Sequence, residues 1–243
     1  MPFTFSHPAI ILPLHYLPRR LFSLTGLIIG SLTPDFEYFI RMRVQSNYSH
    51  TLAGIFWFDL PLAIILSFIF HNIVRDQLYN NLPKEIQMRV LVFTQFNWNN
   101  YFKQKWAVVL ISILIGVISH IFWDSFTHHH GYFVNYIPEL KNTVIICGTT
   151  IPFLKIAQHL SSFIGAIIIM FAILKLPKNK IPTALINKLY WIYLIIFAIL
   201  ILILRFLNDF SLKAYGNMIV SIIAAVLISS ILTPLFINAI RKN

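Results

Sequence analysis

The sequence predicts an all-α fold, a polytopic bundle of transmembrane helices. Of its 243 residues, 58% are hydrophobic and only 11% are charged, and the mean hydropathy is +0.74. A typical soluble domain carries about 25% charged residues. Several apolar windows reach about 20 residues, the length that a helix needs to cross the hydrocarbon core of a bilayer. We therefore expect a single membrane domain over residues 1–243, with the lipid bilayer as its surroundings.

The apolar windows predict about six spans and a short N-terminal membrane-associated helix. Four prolines interrupt residues 1–18 and no basic segment precedes them, so this stretch is not expected to be a cleavable signal. Residues 1–165 carry the polar motifs described below, and residues 166–243 add further C-terminal spans. The six predicted spans are residues 20–40, 54–74, 106–126, 155–175, 189–207 and 217–239.

The basic residues are expected to set the topology of the chain. The net charge is +11, and with six spans most of the 19 Lys and Arg residues fall on one side of the membrane. Because basic loops stay on the cytoplasmic side, both termini are expected in the cytoplasm. A positive net charge can also indicate nucleic-acid binding. Here the distribution of the charge favours topology, and we expect no nucleic-acid partner.

A polar run at the end of the third predicted span is the first sign of a functional site. His120, Asp124 and His128 are spaced by four residues, which places them on one face of a helix. A carboxylate at the centre of a membrane helix costs about 2.5–3.5 kcal/mol on insertion scales. Imidazoles beside that carboxylate indicate a bound metal ion that would offset the cost.

Other polar residues are expected at the same outer face. Asp35 directly follows Pro34, which breaks the first span, and His50 lies in the loop after it. Two residues at the outer ends of later spans, Asp59 and His159, are candidates to contact the metal ligands without binding the metal themselves. The depth of the N-terminal segment decides whether His7 reaches this face, and the residue pattern leaves that open.

Imidazole and carboxylate ligands without a thiolate suit zinc best, and also manganese or iron. His120 and His128 are about 12 Å apart along a helix axis, too far to share one ion without distortion. Two alternatives stay open: Asp124 bridges two ions held by His120 and His128, or one ion is bound and His128 contacts it indirectly or contacts substrate. Glu37 is a candidate general base.

These motifs resemble those of an uncharacterised bacterial membrane family of the domain-of-unknown-function 4184 type, related to the LexA-regulated membrane-bound metal-dependent hydrolases. The resemblance rests on Pro2-Phe-Thr-Phe-Ser-His-Pro-Ala, on Gly30-Ser-Leu-Thr-Pro-Asp-Phe-Glu-Tyr-Phe and on His120-Ile-Phe-Trp-Asp-Ser-Phe-Thr-His. It implies a bacterial inner-membrane location. It also implies metal-binding positions at His7, Asp35, His50, His120 and Asp124.

Two classes of function fit these features. The leading hypothesis is an integral membrane metal-dependent hydrolase that acts on a lipid-linked or phosphoester substrate at the outer membrane–water boundary. The alternative is a non-enzymatic protein, either a transporter or a metal-stabilised scaffold. Transporters commonly place polar groups near the midplane on paired broken helices. This chain has one clear break and no visible repeat, which favours an interfacial site.

Overall fold

The computed structural model describes residues 3–16, 18, 21–129, 131–207 and 214–240, and most of them are helical. The chain ends, whose side of the membrane the sequence predicts, lie outside these residues. The helices in chain order are α1 (Pro8–Ile11), α2 (Leu24–Leu32), α3 (Phe36–Arg41), α4 (Leu52–Asn80), α5 (Lys84–Val90), α6 (Trp98–Asp124), α7 (Tyr132–Tyr136), α8 (Phe153–Lys175), α9 (Lys188–Phe206) and α10 (Tyr215–Ile240).

The predicted all-α membrane class is confirmed. Within the described residues, five helices are long and apolar enough to cross a membrane, namely α4, α6, α8, α9 and α10. They correspond to the last five of the six predicted spans. The first predicted span is not among them, because a 3₁₀ turn at Thr33–Asp35 separates α2 from α3. Proline cannot donate the backbone hydrogen bond that would continue an α-helix through this point.

A β-hairpin between α7 and α8 was not predicted. Strand β1 (Thr143–Ile146) pairs antiparallel with β2 (Thr149–Pro152), with Ile146 opposite Thr149. The two turn residues, Cys147 and Gly148, have φ values of +49° and +77°. Positive φ at both central residues is typical of the tight turns that join two-residue hairpins. In this apolar sequence, the pattern of residues does not distinguish these short strands from the helices around them.

The described chain forms two compact units. The first comprises Met1–Asp35, Tyr48–Ile64 and Lys105–Ile173, and the second comprises Phe36–Asn47, Ile65–Gln104 and Leu174–Asn243.

In the first unit, small residues let α2 and α6 approach closely. A Cβ atom added to Gly30 would lie 2.3 Å from the carbonyl oxygen of Ile113, and one added to Gly116 would lie 2.4 Å from that of Leu27. Small residues four apart are a common device for close helix packing in membranes, and Gly26 precedes Gly30 by four. This contact brings the end of α2 beside the second half of α6.

The N-terminal segment packs on α8 within the same unit. The Phe3 amide donates to Ser162 Oγ at 2.9 Å, and Ser6 Oγ donates to the Ser162 carbonyl at 2.7 Å. A Cβ atom on Gly165 would lie 2.9 Å from both Cβ and the carbonyl oxygen of Ser6. The first turn of the chain is therefore held at a fixed place, and His7 follows it directly.

The second unit is organised around buried polar side chains that bind loop carbonyls. The buried Arg75 guanidinium donates to Asp76 at 2.6 Å, to the Phe96 carbonyl at 2.8 Å and to the Thr94 carbonyl at 3.1 Å. It also donates to Nδ1 of His71 at 3.0 Å. These bonds satisfy a buried charge and fix the connection before α6.

Helices α9 and α10 also belong to the second unit. They pack against each other around an apolar core formed by Tyr190, Leu194 and Ile237. The amide of Gln87 binds the loop before α9, since it accepts from the Ala184 amide at 2.9 Å and donates to the Ala184 carbonyl at 3.2 Å. These helices complete the apolar part of the unit.

Candidate metal site

Four ionisable side chains of the first unit converge on one small volume. Each offers one ligand atom, and these atoms all lie within 4.8 Å of one another, so that the group could hold a metal ion. All four were predicted from the sequence. We call this group the four-residue cluster, and it consists of Asp35, His50, His120 and Asp124.

The distances within the cluster suit a shared cation. Asp124 Oδ2 is 3.4 Å from Nε2 of both His50 and His120. Asp35 Oδ1 is 3.6 Å from His120 Nε2 and 3.9 Å from His50 Nε2. Ligand atoms at about 2.0–2.1 Å from a tetrahedral zinc ion are about 3.3–3.4 Å apart. The observed separations are close to that spacing and longer than ordinary hydrogen bonds of about 2.7–3.2 Å.

The cluster is buried and contains polar atoms that need a partner. Asp35, His120 and Asp124 are buried, and Asp35 Oδ1, His120 Nε2 and both oxygens of Asp124 make no hydrogen bond within the described part of the chain. Burying such groups without a partner is costly, and native structures rarely do so. A divalent cation within the cluster would satisfy one such atom of each residue.

The position of His120 is set by the close contact of α2 and α6. Its Nδ1 lies 2.7 Å from the carbonyl oxygen of Ser31. Because a carbonyl only accepts, Nδ1 carries a proton, and Nε2 is the nitrogen directed at the cluster, where it would be a ligand in the neutral imidazole. Metal-binding histidines commonly donate their second nitrogen in this way, which fixes both tautomer and ring orientation.

Asp35 is presented by the 3₁₀ turn that ends α2. Thr4 Oγ1 donates to Asp35 Oδ2 at 2.5 Å, and both residues are buried. This bond occupies one carboxylate oxygen and turns the other, Oδ1, toward the imidazoles. The N-terminal segment therefore orients a cluster residue that lies far from it in sequence.

His50 lies in a tight loop just before α4 and has a φ of +61°. Such a backbone conformation is uncommon for a residue with a side chain and is often found at functional sites. Thr51 caps α4 by accepting from the Gly54 amide at 2.9 Å. The His50 side chain is 21% exposed, whereas those of Asp35 and His120 are almost fully buried. The accessible side of the cluster is therefore at His50.

His7, whose depth the sequence left open, lies beside the cluster. Its ring stacks on that of His120, with centroids 3.7 Å apart and planes at 16°. His7 Nε2 is 3.6 Å from Asp124 Oδ1, and neither ring nitrogen makes a hydrogen bond within the described part of the chain. The N-terminal segment thus places an imidazole beside His120 and Asp124.

His128 lies next to Asp124 but differs from the cluster histidines. Its Nδ1 is 3.1 Å from the Asp124 carbonyl oxygen, to which it donates, and 3.6 Å from Asp124 Oδ2. The side chain is 33% exposed. Burial lowers the pKa of the His128 imidazole, and the Asp124 charge opposes this effect. The nitrogen nearest the carboxylate is therefore a donor and not a ligand in this arrangement.

The remaining predicted site residues have other surroundings. Glu37, in the second unit, is buried and accepts from Arg41 Nε and the Asn47 amide, both at 2.8 Å. Asp59 is fully buried at the end of a π-helical turn of α4, Ile55–Asp59, which contacts the 3₁₀ turn at Thr33–Asp35. His159 is exposed on α8. The roles predicted for these three residues stay predictions.

Two groups that orient the cluster were not predicted from the sequence. They are the Thr4 hydroxyl and the Ser31 carbonyl, which bind Asp35 and His120. The spacing of Gly26 and Gly30 is a signal that predicts close helix packing and would have pointed to Ser31. No comparable signal marks Thr4, because its partner lies 31 residues away in sequence.

Comparison with known families gives one match. The family described as Domain of unknown function (DUF4184) matches residues 1–239. The chain belongs to this family. The match covers both compact units and all four residues of the cluster. No curated protein and no solved structure matches the chain.

Proposed function

We propose that this DUF4184 protein is an integral membrane metal-dependent hydrolase, with its metal held by the four-residue cluster. One observation carries the proposal: carboxylate and imidazole atoms face each other at 3.4–3.9 Å in a buried group, of which the His50 side chain alone is partly exposed, at 21%. The absence of a sulfur ligand among the four and the near-tetrahedral spacing favour zinc. The relationship to the LexA-regulated membrane hydrolases, inferred from motif order, is part of this proposal.

The residues of the site have two proposed roles: some would hold the ion, and some would contact the substrate. Asp35, His50, His120 and Asp124 would hold the ion, and Thr4 keeps Asp35 in its binding orientation. A bound divalent ion would polarise an ester oxygen and lower the pKa of a water ligand toward 7. His50 and His128 line the accessible side, where substrate would approach. Glu37 is not included, since its carboxylate is already held by Arg41 and Asn47.

The proposed substrate is a lipid-linked ester or phosphoester. The cluster includes the C-terminal residue of the apolar helix α6, a place where a membrane helix meets the headgroup layer. An amphiphilic substrate would keep its tail in lipid and present its polar bond to His50 and His128. With the topology predicted by the basic residues, this end of α6 faces outward from a bacterial inner membrane and both termini are cytoplasmic.

A metal-stabilised scaffold is the second candidate. The same cluster joins the turn after α2, the loop before α4 and the end of α6, so that an ion would tie three chain segments together. The near-complete burial of Asp35 and His120 favours this reading, because a purely structural site excludes substrate. The exposure of His50 favours the hydrolase instead.

The test is metal content and turnover of the full chain purified in detergent. Metal content is measured by mass spectrometry for wild type, Asp35→Asn and His120→Ala. Turnover is measured as phosphate released from a long-chain alcohol monophosphate in mixed micelles. His159→Ala is the matched control, since it removes an exposed imidazole from the same unit.

We expect wild type and His159→Ala to carry zinc and to release phosphate, and both cluster variants to lose metal and activity together. Wild-type protein without bound transition metal would overturn the metal site itself. Stoichiometric metal without turnover on phosphomonoesters, phospholipids or carboxylic esters would instead support the scaffold.

A further inference from the structure

Asp124 is the only carboxylate of the four-residue cluster with both oxygens available. Its Oδ2 faces Nε2 of His50 and of His120, each at 3.4 Å, and its Oδ1 faces His7 Nε2 at 3.6 Å. Asp35 differs, because Thr4 occupies its Oδ2. A carboxylate that presents its two oxygens to two different sets of ligands has the geometry of a metal bridge.

The arrangement of the stacked His7 and His120 rings favours two separate ions over one ion that both rings bind. Their centroids are 3.7 Å apart with planes at 16°, and their Nε2 atoms face different oxygens of the same carboxylate. His7 is not among the four residues whose ligand atoms all lie within 4.8 Å of one another. A fifth ligand of one ion would be expected to share that volume.

We propose a second divalent cation position between His7 Nε2 and Asp124 Oδ1, with Asp124 bridging it to the ion of the four-residue cluster. Paired ions in phosphoester-cleaving enzymes lie about 3.5–4 Å apart, and the two oxygens of Asp124 face different histidines, His7 and His120, as two ions at such a spacing would require. This inference rests on the proposed function and adds a second ion to the same site.

His128, the partner considered from the sequence for a second ion, fits less well. Its near nitrogen, Nδ1, donates to the Asp124 carbonyl, and it approaches Oδ2, which already faces His50 and His120. His7 Nε2 instead lies 3.6 Å from Oδ1, the other oxygen of this carboxylate. The geometry therefore assigns the second position to His7.

His7 is held in place for such a role. Ser6 binds the Ser162 carbonyl at 2.7 Å, and the Phe3 amide binds Ser162 Oγ at 2.9 Å, so the turn before His7 is fixed on α8. The ring is buried, and neither nitrogen makes a hydrogen bond within the described residues. An imidazole in this state gains more from a cation than one that already has a partner.

Among the described residues, the second position has two protein ligands, His7 and Asp124. The rest of its coordination shell would come from water or from substrate oxygens. We therefore expect it to bind more weakly than the first position and to favour phosphoryl oxygens as additional ligands, since two adjacent cations clamp an anionic phosphoester.

The test uses Mn²⁺ as the probe, with the full chain in detergent. Equilibrium dialysis counts bound ions, and electron paramagnetic resonance distinguishes isolated Mn²⁺ from spin-coupled pairs. The variants are His7→Ala and His7→Gln, and the control is His128→Ala, which removes the other imidazole adjacent to Asp124. A His7 variant that still binds one ion has a folded four-residue cluster, so a lost second ion cannot be attributed to unfolding.

We expect two ions and a coupled spectrum for wild type and His128→Ala, and one uncoupled ion for both His7 variants. Wild type that saturates at one ion would overturn the second position and leave the proposed function intact. Two coupled ions in the His7 variants, or loss of coupling in His128→Ala alone, would overturn the assignment to His7. Wild type that binds neither Mn²⁺ nor Zn²⁺ would overturn the proposed function together with this inference.

Discussion

Replacing Thr4 by valine should weaken metal binding although Thr4 touches no metal. Valine has nearly the same shape and removes only the hydroxyl that donates to Asp35 Oδ2 at 2.5 Å. A hydrogen bond to a charged group contributes about 1.5–3 kcal/mol, and loss of a hydrogen-bond partner of a metal ligand typically weakens metal binding by about 10–100-fold. The two ranges agree, because a tenfold change corresponds to about 1.4 kcal/mol.

The assay is a zinc competition titration against a chromophoric chelator, with the full chain in detergent. Thr4→Ser keeps the hydroxyl donor, so its zinc affinity should stay within about threefold of that of wild type. This change is much smaller than the loss of about 10–100-fold expected when the donor is removed. Thr150→Val is the matched control, since Thr150 is exposed on strand β2. Zinc affinity of Thr4→Val equal to that of wild type, in protein that remains folded, would refute the claim that this hydroxyl orients Asp35 for metal binding.

Three further predictions concern the helix contact, the ion and the topology. Gly30→Ala places a methyl group 2.3 Å from the Ile113 carbonyl oxygen, and overpacking should lower the free energy of unfolding by about 1–3 kcal/mol, measured by thermal denaturation beside the control Thr150→Val, which changes an exposed side chain. Chelation of zinc should lower the unfolding temperature, since free zinc at 100 times its Kd contributes about 2.7 kcal/mol; an unchanged temperature would contradict this. Reporter fusions after residue 95 and after residue 140 should lie on opposite sides of the membrane, because α6 separates them.

Much of the fold was predictable because membrane helices carry a strong compositional signal. The last five predicted spans agree with α4, α6, α8, α9 and α10 to within a few residues, apart from the extension of α4 and α6 beyond their apolar cores. The helical break at Pro34 was also visible, although the window containing it was still counted as a span. The hairpin at Cys147–Gly148 was missed, because short strands have a weak periodic signal.

The composition of the cluster was predictable for a different reason. Ionisable residues are costly near lipid, so each one in an apolar stretch is a candidate, and Asp35, His120 and Asp124 all stand out in this way. The residues that orient these side chains could not be predicted from the sequence in the same way. The bonds of Thr4 to Asp35 and of Ser31 to His120 join residues 31 and 89 positions apart, and no local pattern encodes such pairs.

The sequence does not determine which histidines face the carboxylate of Asp124. A spacing of four residues groups His120, Asp124 and His128 on one helical face, but it does not say which nitrogen faces the carboxylate. In the structure the helical part of α6 ends at Asp124, and His128 turns its Nδ1 to the carbonyl of that residue. His7 comes from the opposite end of the motif-bearing region and approaches Asp124 directly.

The proposed function requires that Asp35, His50, His120 and Asp124 bind one cation. X-ray absorption spectroscopy of zinc-loaded, detergent-purified protein tests it most directly. We predict a shell of nitrogen and oxygen ligands at about 2.0–2.1 Å with imidazole scattering, and we expect this shell to be lost in His120→Ala. A sulfur ligand at about 2.3 Å, or wild-type protein that retains no zinc after dialysis, would contradict it.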